Sequence, residues 1–255
     1  MPRYALKLEY NGAPFHGWQR QAGGLKTVQG ALEAALSRVD PTEPEAVGAG
    51  RTDTGVHAAG QVAHVDMDRE WDAFRLNEAL NHHLKPDPVA VVAAAPVETD
   101  FHARFSAVGR EYCYRIISRR APLVFEAGLA WRISYALSAE PMRQAATALI
   151  GKHDFTTFRA TLCQAASPVK TLDAIEINEI AHGLDLTFKA RSFLHNQVRS
   201  MVGSLECVGS GRWEPERMGD ALAAADRAAC GPVAPPDGLS LIAVTYNQDP
   251  FAPRG

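Results

Sequence analysis

Asp53 is the residue of this chain whose setting could do chemistry. It is a carboxylate between Thr52 and Thr54, two positions after Arg51, in the stretch Gly48-Ala-Gly-Arg51-Thr-Asp53-Thr-Gly55-Val-His57-Ala-Ala-Gly60. Four glycines in thirteen positions free the backbone for positive φ and argue for a sharp loop rather than a strand. Several explanations compete for such a loop. Asp53 can bond backbone N–H groups in an Asx-turn, the common role of Asp among glycines. A phosphate cradle fits poorly, because glycines at 48, 50, 55 and 60 match neither G-x-G-x-x-G nor G-x-x-x-x-G-K-[ST]. Asp53-Thr-Gly55 also has the form of an aspartic-protease signature, but that chemistry needs two carboxylates sharing one proton and the chain has a single D-T-G. On these residues alone an Asx-turn and a single catalytic carboxylate both stay open.

The elements that hold the loop come from 255 residues, enough to bury a substantial core as one large domain or two small ones. Hydrophobic content of 46% and charged content of 22% are those of a globular protein in water. No apolar run approaches the ~20 residues of a membrane span. Met1-Pro-Arg-Tyr leads straight into a strand pattern without a signal peptide, so the expected location is the cytoplasm. Cys113, Cys163, Cys207 and Cys230 lie far apart with no C-x-x-C pair, which predicts free buried thiols and no metal or redox pair. A net charge of −3 argues against indiscriminate coating of nucleic acid. The positive charge is nevertheless segregated. Residues 102–120 hold Arg104, Arg110, Arg115, Arg119 and Arg120 against Glu111, and residues 187–212 hold Lys189, Arg191, Arg199 and Arg212 against Glu206. Such patches suit selective RNA contact.

Tyr4, Leu6, Leu8 and Tyr10 alternate with Ala5, Lys7 and Glu9, the pattern of a strand with one face buried. Residues 11–26 form a loop whose Phe15, His16, Trp18 and Arg20 could stack on and neutralise RNA, or whose aromatics could plug the fold locally. Thr27 is placed to cap a helix through Val28, Leu32, Ala35, Leu36 and Val39. A short strand near 45–49, a strand over 61–66, a helix around Leu76 and Leu80 and a strand over 89–95 complete a first β-α-β-β-α-β run. The second half repeats that order. It has strands at 111–117 and 129–134, and a hairpin over 171–178 and 184–190. Its helices are one capped by Ser138 and ended before Gly151, one over 195–208 closed by Gly209, and an extra one near 215–228. Leu239–Tyr246 is the last strand. The fold class is α+β: two ferredoxin-like (βαββαβ) halves, 1–104 and 105–255, with antiparallel sheets side by side, helices on one face and a cleft between them.

Gly50-Arg51-Thr52-Asp53-Thr54-Gly55-Val56-His57-Ala58 closely resembles the nucleophile motif of the tRNA pseudouridine synthase A family. Further matching pieces follow in family order: Phe15-His16-Gly17-Trp18-Gln19, Phe101-His102-Ala103-Arg104-Phe105-Ser106, Arg110-Glu111-Tyr112-Cys113-Tyr114, Gly151-Lys152-His153-Asp154-Phe155, Phe193-Leu194-His195-Asn196-Gln197-Val198-Arg199 and Gly238-Leu239-Ser240-Leu241. The resemblance covers nearly the whole chain. It implies an isomerase that converts uridine to pseudouridine at positions 38 to 40 of the tRNA anticodon stem-loop, acting as a homodimer without metal or organic cofactor. In that reading Asp53 is the catalytic carboxylate and Arg199 its ion-pair partner. Tyr112 stacks on the target base, Arg51 fills the gap left by the flipped nucleotide, and Leu241 walls the uracil pocket. The arginines of 102–120, with Lys152, His153 and Arg159, are expected to hold phosphates.

Overall fold

The alternation in Tyr4–Tyr10 becomes strand β1 (Arg3–Tyr10), with Tyr4, Leu6, Leu8 and Tyr10 buried and Glu9 exposed. The computed structural model describes residues 1–161 and 163–252. The described chain is mixed α/β, with ten strands and five α-helices, and it divides into two compact units. The first takes Met1–Arg110 and the chain from Leu241; the second takes Glu111–Ser240.

In the first unit, Thr27 caps α1 (Val28–Leu36) by accepting from the Gly30 N–H, as its place before the apolar stripe predicts. Strand β2 (Val47–Gly48) pairs with β3 (His57–Asp66). Helix α2 (Ala73–Leu84), capped by Asp72, leads to β4 (Val89–Val97). Strand β1 is hydrogen-bonded antiparallel to both β3 and β4. Its register sets Arg3 opposite Asp66, and the guanidinium grips that carboxylate at 2.7 Å. The last strand, β10 (Leu239–Tyr246), lies beside β3, giving the order β4-β1-β3-β10. One expectation is corrected here. The glycine-rich stretch is not loop to its end, because β3 already starts at His57 and carries Gly60 within it. A Cβ at Gly60 would stand 2.3 Å from the Ile242 carbonyl oxygen, so the glycine permits the close approach of β10.

The second unit holds β5 (Ala107–Ser118) from Glu111 on, then β6 (Trp131–Ile133), α3 (Ala139–Ala146), β7 (Gly151–Asp154), β8 (Val169–Ile180), β9 (Gly183–Ala190), α4 (Gln197–Gly209) and α5 (Arg217–Ala224). The hairpin of β8 and β9 forms as expected, and the strand order is β5-β9-β8-β7. Two short strands interrupt the simple repeat of the first half: β6 pairs parallel to β5, and β7 pairs antiparallel to β8. Ser138 stands at the N-cap of α3 but makes no side-chain capping bond. Helix α4 departs furthest from its amphipathic reading. Val198, Met201, Val202, Leu205 and Val208 are buried as expected, but so are Ser200, Ser204 and Glu206. A Cβ on Gly203 would fall 1.7 Å from the Pro232 carbonyl oxygen, so the 231–238 segment lies directly against this second side of the helix. Cys207 is buried, whereas Cys113, Cys163 and Cys230 are only partly so; all four are free thiols. Among the described residues no helix is long and apolar enough to cross a membrane.

Candidate active site

Residues 11–18 are the mould in which the Asp53 loop is cast. The Trp18 N–H donates to the Thr52 carbonyl at 3.0 Å, and the Gly55 N–H donates to the Phe15 carbonyl at 3.3 Å. The Gly12 N–H donates to His57 Nδ1 at 3.0 Å, so Nδ1 is an accepting nitrogen of that ring. Inside the loop the Val56 N–H donates to the Asp53 carbonyl at 3.1 Å, and Gly55 takes φ +78°. Two glycines make this closeness possible. A Cβ on Gly12 would lie 2.0 Å from the Val56 oxygen, and one on Gly17, at φ +87°, would lie 2.6 Å from the Thr52 oxygen. The Tyr10 hydroxyl meets Thr52 Oγ1 at 2.9 Å in a buried contact, and burial pushes that phenol up to about 12 against the opposing Thr52 bond. Asp53 is left half-buried and Arg51 exposed.

The mould is itself anchored to α1. The first N–H groups of the helix, those of Val28 and Gln29, donate to the Gly17 and Trp18 carbonyls. The buried Gln29 amide then spans four partners. Its oxygen accepts from the Gln19 side chain and the Arg20 N–H, and its nitrogen donates to Glu33 and to the Ala46 carbonyl at the entry to β2. Phe15 and Trp18 are 1% and 2% exposed, so of the two readings open for these aromatics the local plug holds: they fill the fold beneath the loop. The Trp18 ring fills the space where a Gly48 side chain would be.

Tyr112 and Arg199 belong to the second unit, and Arg51, Asp53 and Leu241 to the first. The Tyr112 ring, 9% exposed on β5, meets Phe193 edge to face at 5.3 Å. Phe193 was not singled out from the residues, although it lies in a quoted motif; its signal is the aromatic just ahead of α4. Arg199 is held at two points: Nε donates to the Ala234 carbonyl at 2.8 Å, and Nη1 donates to Asn196 Oδ1 at 3.0 Å. Asn196, at φ +61°, turns the chain into α4. Arg199 is partly buried, and its own carbonyl accepts from the Ala234 N–H at 3.1 Å, so the 231–238 segment bonds both its side chain and its backbone. Tyr114 donates to the Pro235 carbonyl, and burial raises its phenol, an effect that the Arg199 charge opposes. Leu241 is fully buried in β10.

The basic segment 102–120 is less available than its composition suggests. Arg110 is buried and donates through Nη2 to the Ala49 and Arg104 carbonyls at 2.8 Å each, so its expected phosphate role gives way to a structural one. Arg115 is spent on a bidentate pair with Asp185. Arg104 remains exposed.

Comparison with known proteins adds a family to this geometry. A family model described as tRNA pseudouridine synthase matches residues 8–106 and 145–247. A protein of Cereibacter sphaeroides (strain ATCC 17025) named tRNA pseudouridine synthase A is 62% identical over 256 residues, with 99% of each chain covered. Proteins of the same name from Jannaschia sp. (strain CCS1) and Dinoroseobacter shibae are 60% and 61% identical. The first match covers 99% of this chain and 98% of the relative, the second 99% and 100%.

Proposed function

The chain belongs to the tRNA pseudouridine synthase family, and on that premise we propose how its own residues perform the reaction. The protein is an isomerase that converts uridine in tRNA to pseudouridine. That conversion breaks the glycosidic C–N bond and remakes it as C–C, with no change of oxidation state. It needs one reactive group against the nucleotide and a pocket that retains the freed uracil while it turns.

Asp53 is that group. A carboxylate with a reference pKa of about 3.9 is almost wholly ionised at neutral pH, which suits a nucleophile or base and not a shared-proton dyad. The observation that carries the assignment is the scaffold around it. Residues 12, 15 and 18 bond the backbone or ring of residues 57, 55 and 52, which fixes the loop on both sides of the acid. Arg199, its guanidinium oriented by Ala234 and Asn196, serves as the ion-pair partner of Asp53. Tyr112, braced by Phe193, stacks on the target base and exchanges a proton during the isomerisation. The exposed Arg51 enters the gap left by the flipped nucleotide. Flipping costs a few kcal/mol, which base–aromatic stacking of about 1–3 kcal/mol largely offsets. Leu241, being buried, backs the uracil pocket from within.

The finer reading places the target at positions 38 to 40 of the anticodon stem-loop, in the cytoplasm, with the enzyme a homodimer of ferredoxin-like halves, 1–104 and 105–255. The element order β1-α1-β2-β3-α2-β4 supports that architecture for the first half. Asp53→Asn tests the chemistry. The variant should fold, bind unmodified tRNA and form no pseudouridine; turnover near that of the parent removes Asp53 from the mechanism.

A further inference from the structure

We propose that Phe105, backed by His102 and flanked by Arg104, is a stacking platform for an unpaired base of the tRNA substrate. The inference rests on the tRNA-isomerase reading and adds a contact that the Asp53 chemistry does not use. Phe105 is 71% exposed, yet it is not loose. Its ring lies 4.3 Å from that of His102, tilted by 36°, and the Arg104 guanidinium stands 5.6 Å from its centre. Behind His102 is the His64 ring at 4.7 Å, so the exposed phenyl heads an aromatic column. Phe74 and Phe125 are at least as exposed, but among the described residues no ring or cation is stacked on them.

The turn beneath the column is rigid. His102 Nδ1 accepts from the Arg104 and Phe105 N–H groups, at 3.1 and 3.3 Å. The Ala103 N–H donates to His64 Nδ1, the Tyr246 hydroxyl donates to the Ala103 carbonyl, and Ser106 Oγ accepts from the His102 N–H. A solvent-facing aromatic held this firmly, with a guanidinium beside it, matches the chemistry of one splayed nucleotide: a π-face for the base and a cation for its phosphate. Its position relates it to the reaction. Arg110 Nη2 reaches both the Arg104 and the Ala49 carbonyls at 2.8 Å, so those oxygens lie within about 5.6 Å of each other, and Ala49 stands four residues before Asp53. The turn that carries Phe105 is thereby tied to the segment that leads into the Asp53 loop.

Titration of unmodified tRNA against the full-length protein, followed by fluorescence anisotropy over a range of salt, tests the inference. Phe105→Ala should bind about tenfold more weakly, the loss of one stacked base, with the slope of log K against log salt unchanged. Phe105→Trp should restore affinity, and its added indole emission should be quenched when tRNA binds. Arg104→Gln should reduce the magnitude of the salt slope by about one. Parental affinity in Phe105→Ala overturns the platform, as does an unquenched indole in Phe105→Trp. A changed oligomeric state with tRNA affinity intact also overturns it and assigns the surface to a second copy of the chain. Since Asp53→Asn probes the chemistry by itself, either result leaves the isomerase reading to stand or fall on its own experiment.

Discussion

Replacing Gly17 by alanine should disable the enzyme while leaving it largely folded. Gly17 sits at φ +87°, a conformation that costs an L-residue on the order of 1–3 kcal/mol. Its new Cβ would also stand 2.6 Å from the Thr52 oxygen, where ordinary van der Waals contact begins at 3.4 Å. The Thr52 carbonyl must then retreat by about 0.8 Å (3.4 less 2.6), straining the Trp18–Thr52 bond and carrying its neighbour Asp53 with it. A displacement near 1 Å at a reacting group costs roughly 10²-fold in rate. For a chain of this size a loss of 1–3 kcal/mol lowers the melting temperature by roughly 2–4 °C per kcal/mol. The control is Gly24→Ala. Gly24 has φ +72°, but nothing lies within 4 Å of where its Cβ would be. That variant carries the conformational cost without the clash, so it should melt lower yet turn over normally. The assay is single-turnover pseudouridine formation on unmodified tRNA, alongside thermal melts of both variants. Equal turnover in Gly17→Ala and Gly24→Ala would refute the claim that the 11–18 segment sets the position of Asp53.

Two further predictions concern other parts of the molecule. Arg199→Ala should reduce turnover far more than tRNA affinity, measured as separate kcat and Kd values; equal losses would make Arg199 a phosphate contact. His64 is held down to about 4, first by burial and then by the nearby Arg3 and His102 charges, with Asp66 opposing. The unfolded chain therefore binds a proton there that the folded chain refuses between pH 6.5 and about 4. Folding stability should accordingly hold above pH 6.5, decline as pH falls through that window, and lose no more from this group below it. Protonated Nδ1 can no longer accept from the Ala103 N–H. His64→Gln, which keeps an acceptor but cannot titrate, should flatten the decline in urea midpoints measured between pH 7.5 and 4.5, and an unchanged slope would clear His64 of it.

Local pattern carried the elements whose cause is local. The alternation of β1, the Thr27 cap, the β8–β9 hairpin and the limits of β10 were all legible because each follows from neighbouring residues. What could not be read was which side of a segment the rest of the chain would cover. Phe15 and Trp18 look the same in a sequence whether they face RNA or the underside of the Asp53 loop; packing against Gly48 and the Thr52 backbone decided for burial. Arg110 counts as a charge in composition, but in the structure its charge is used to tie two backbone carbonyls together. Periodicity gave α4 one core face, and the proline-rich strand of coil lying over Gly203 and Ser204 gave it a second. The glycine-rich loop around Asp53 was legible because its motif is contiguous, whereas the roles given to Asp53, Tyr112 and Arg199 came from resemblance.

The seat of residues 231–238 on α4 has a consequence for how the enzyme can vary. Gly203 and Gly231 bring two backbones nearly into contact, and the Ala234 carbonyl grasps Arg199 from above. A bulkier side chain at either glycine would lift this stretch of coil, and the guanidinium's aim would change although Arg199 itself had not been touched. Substitutions there are thus coupled to Arg199 in advance, and a partly active variant at Gly203 would be repaired most readily by a compensating change between Pro232 and Pro235.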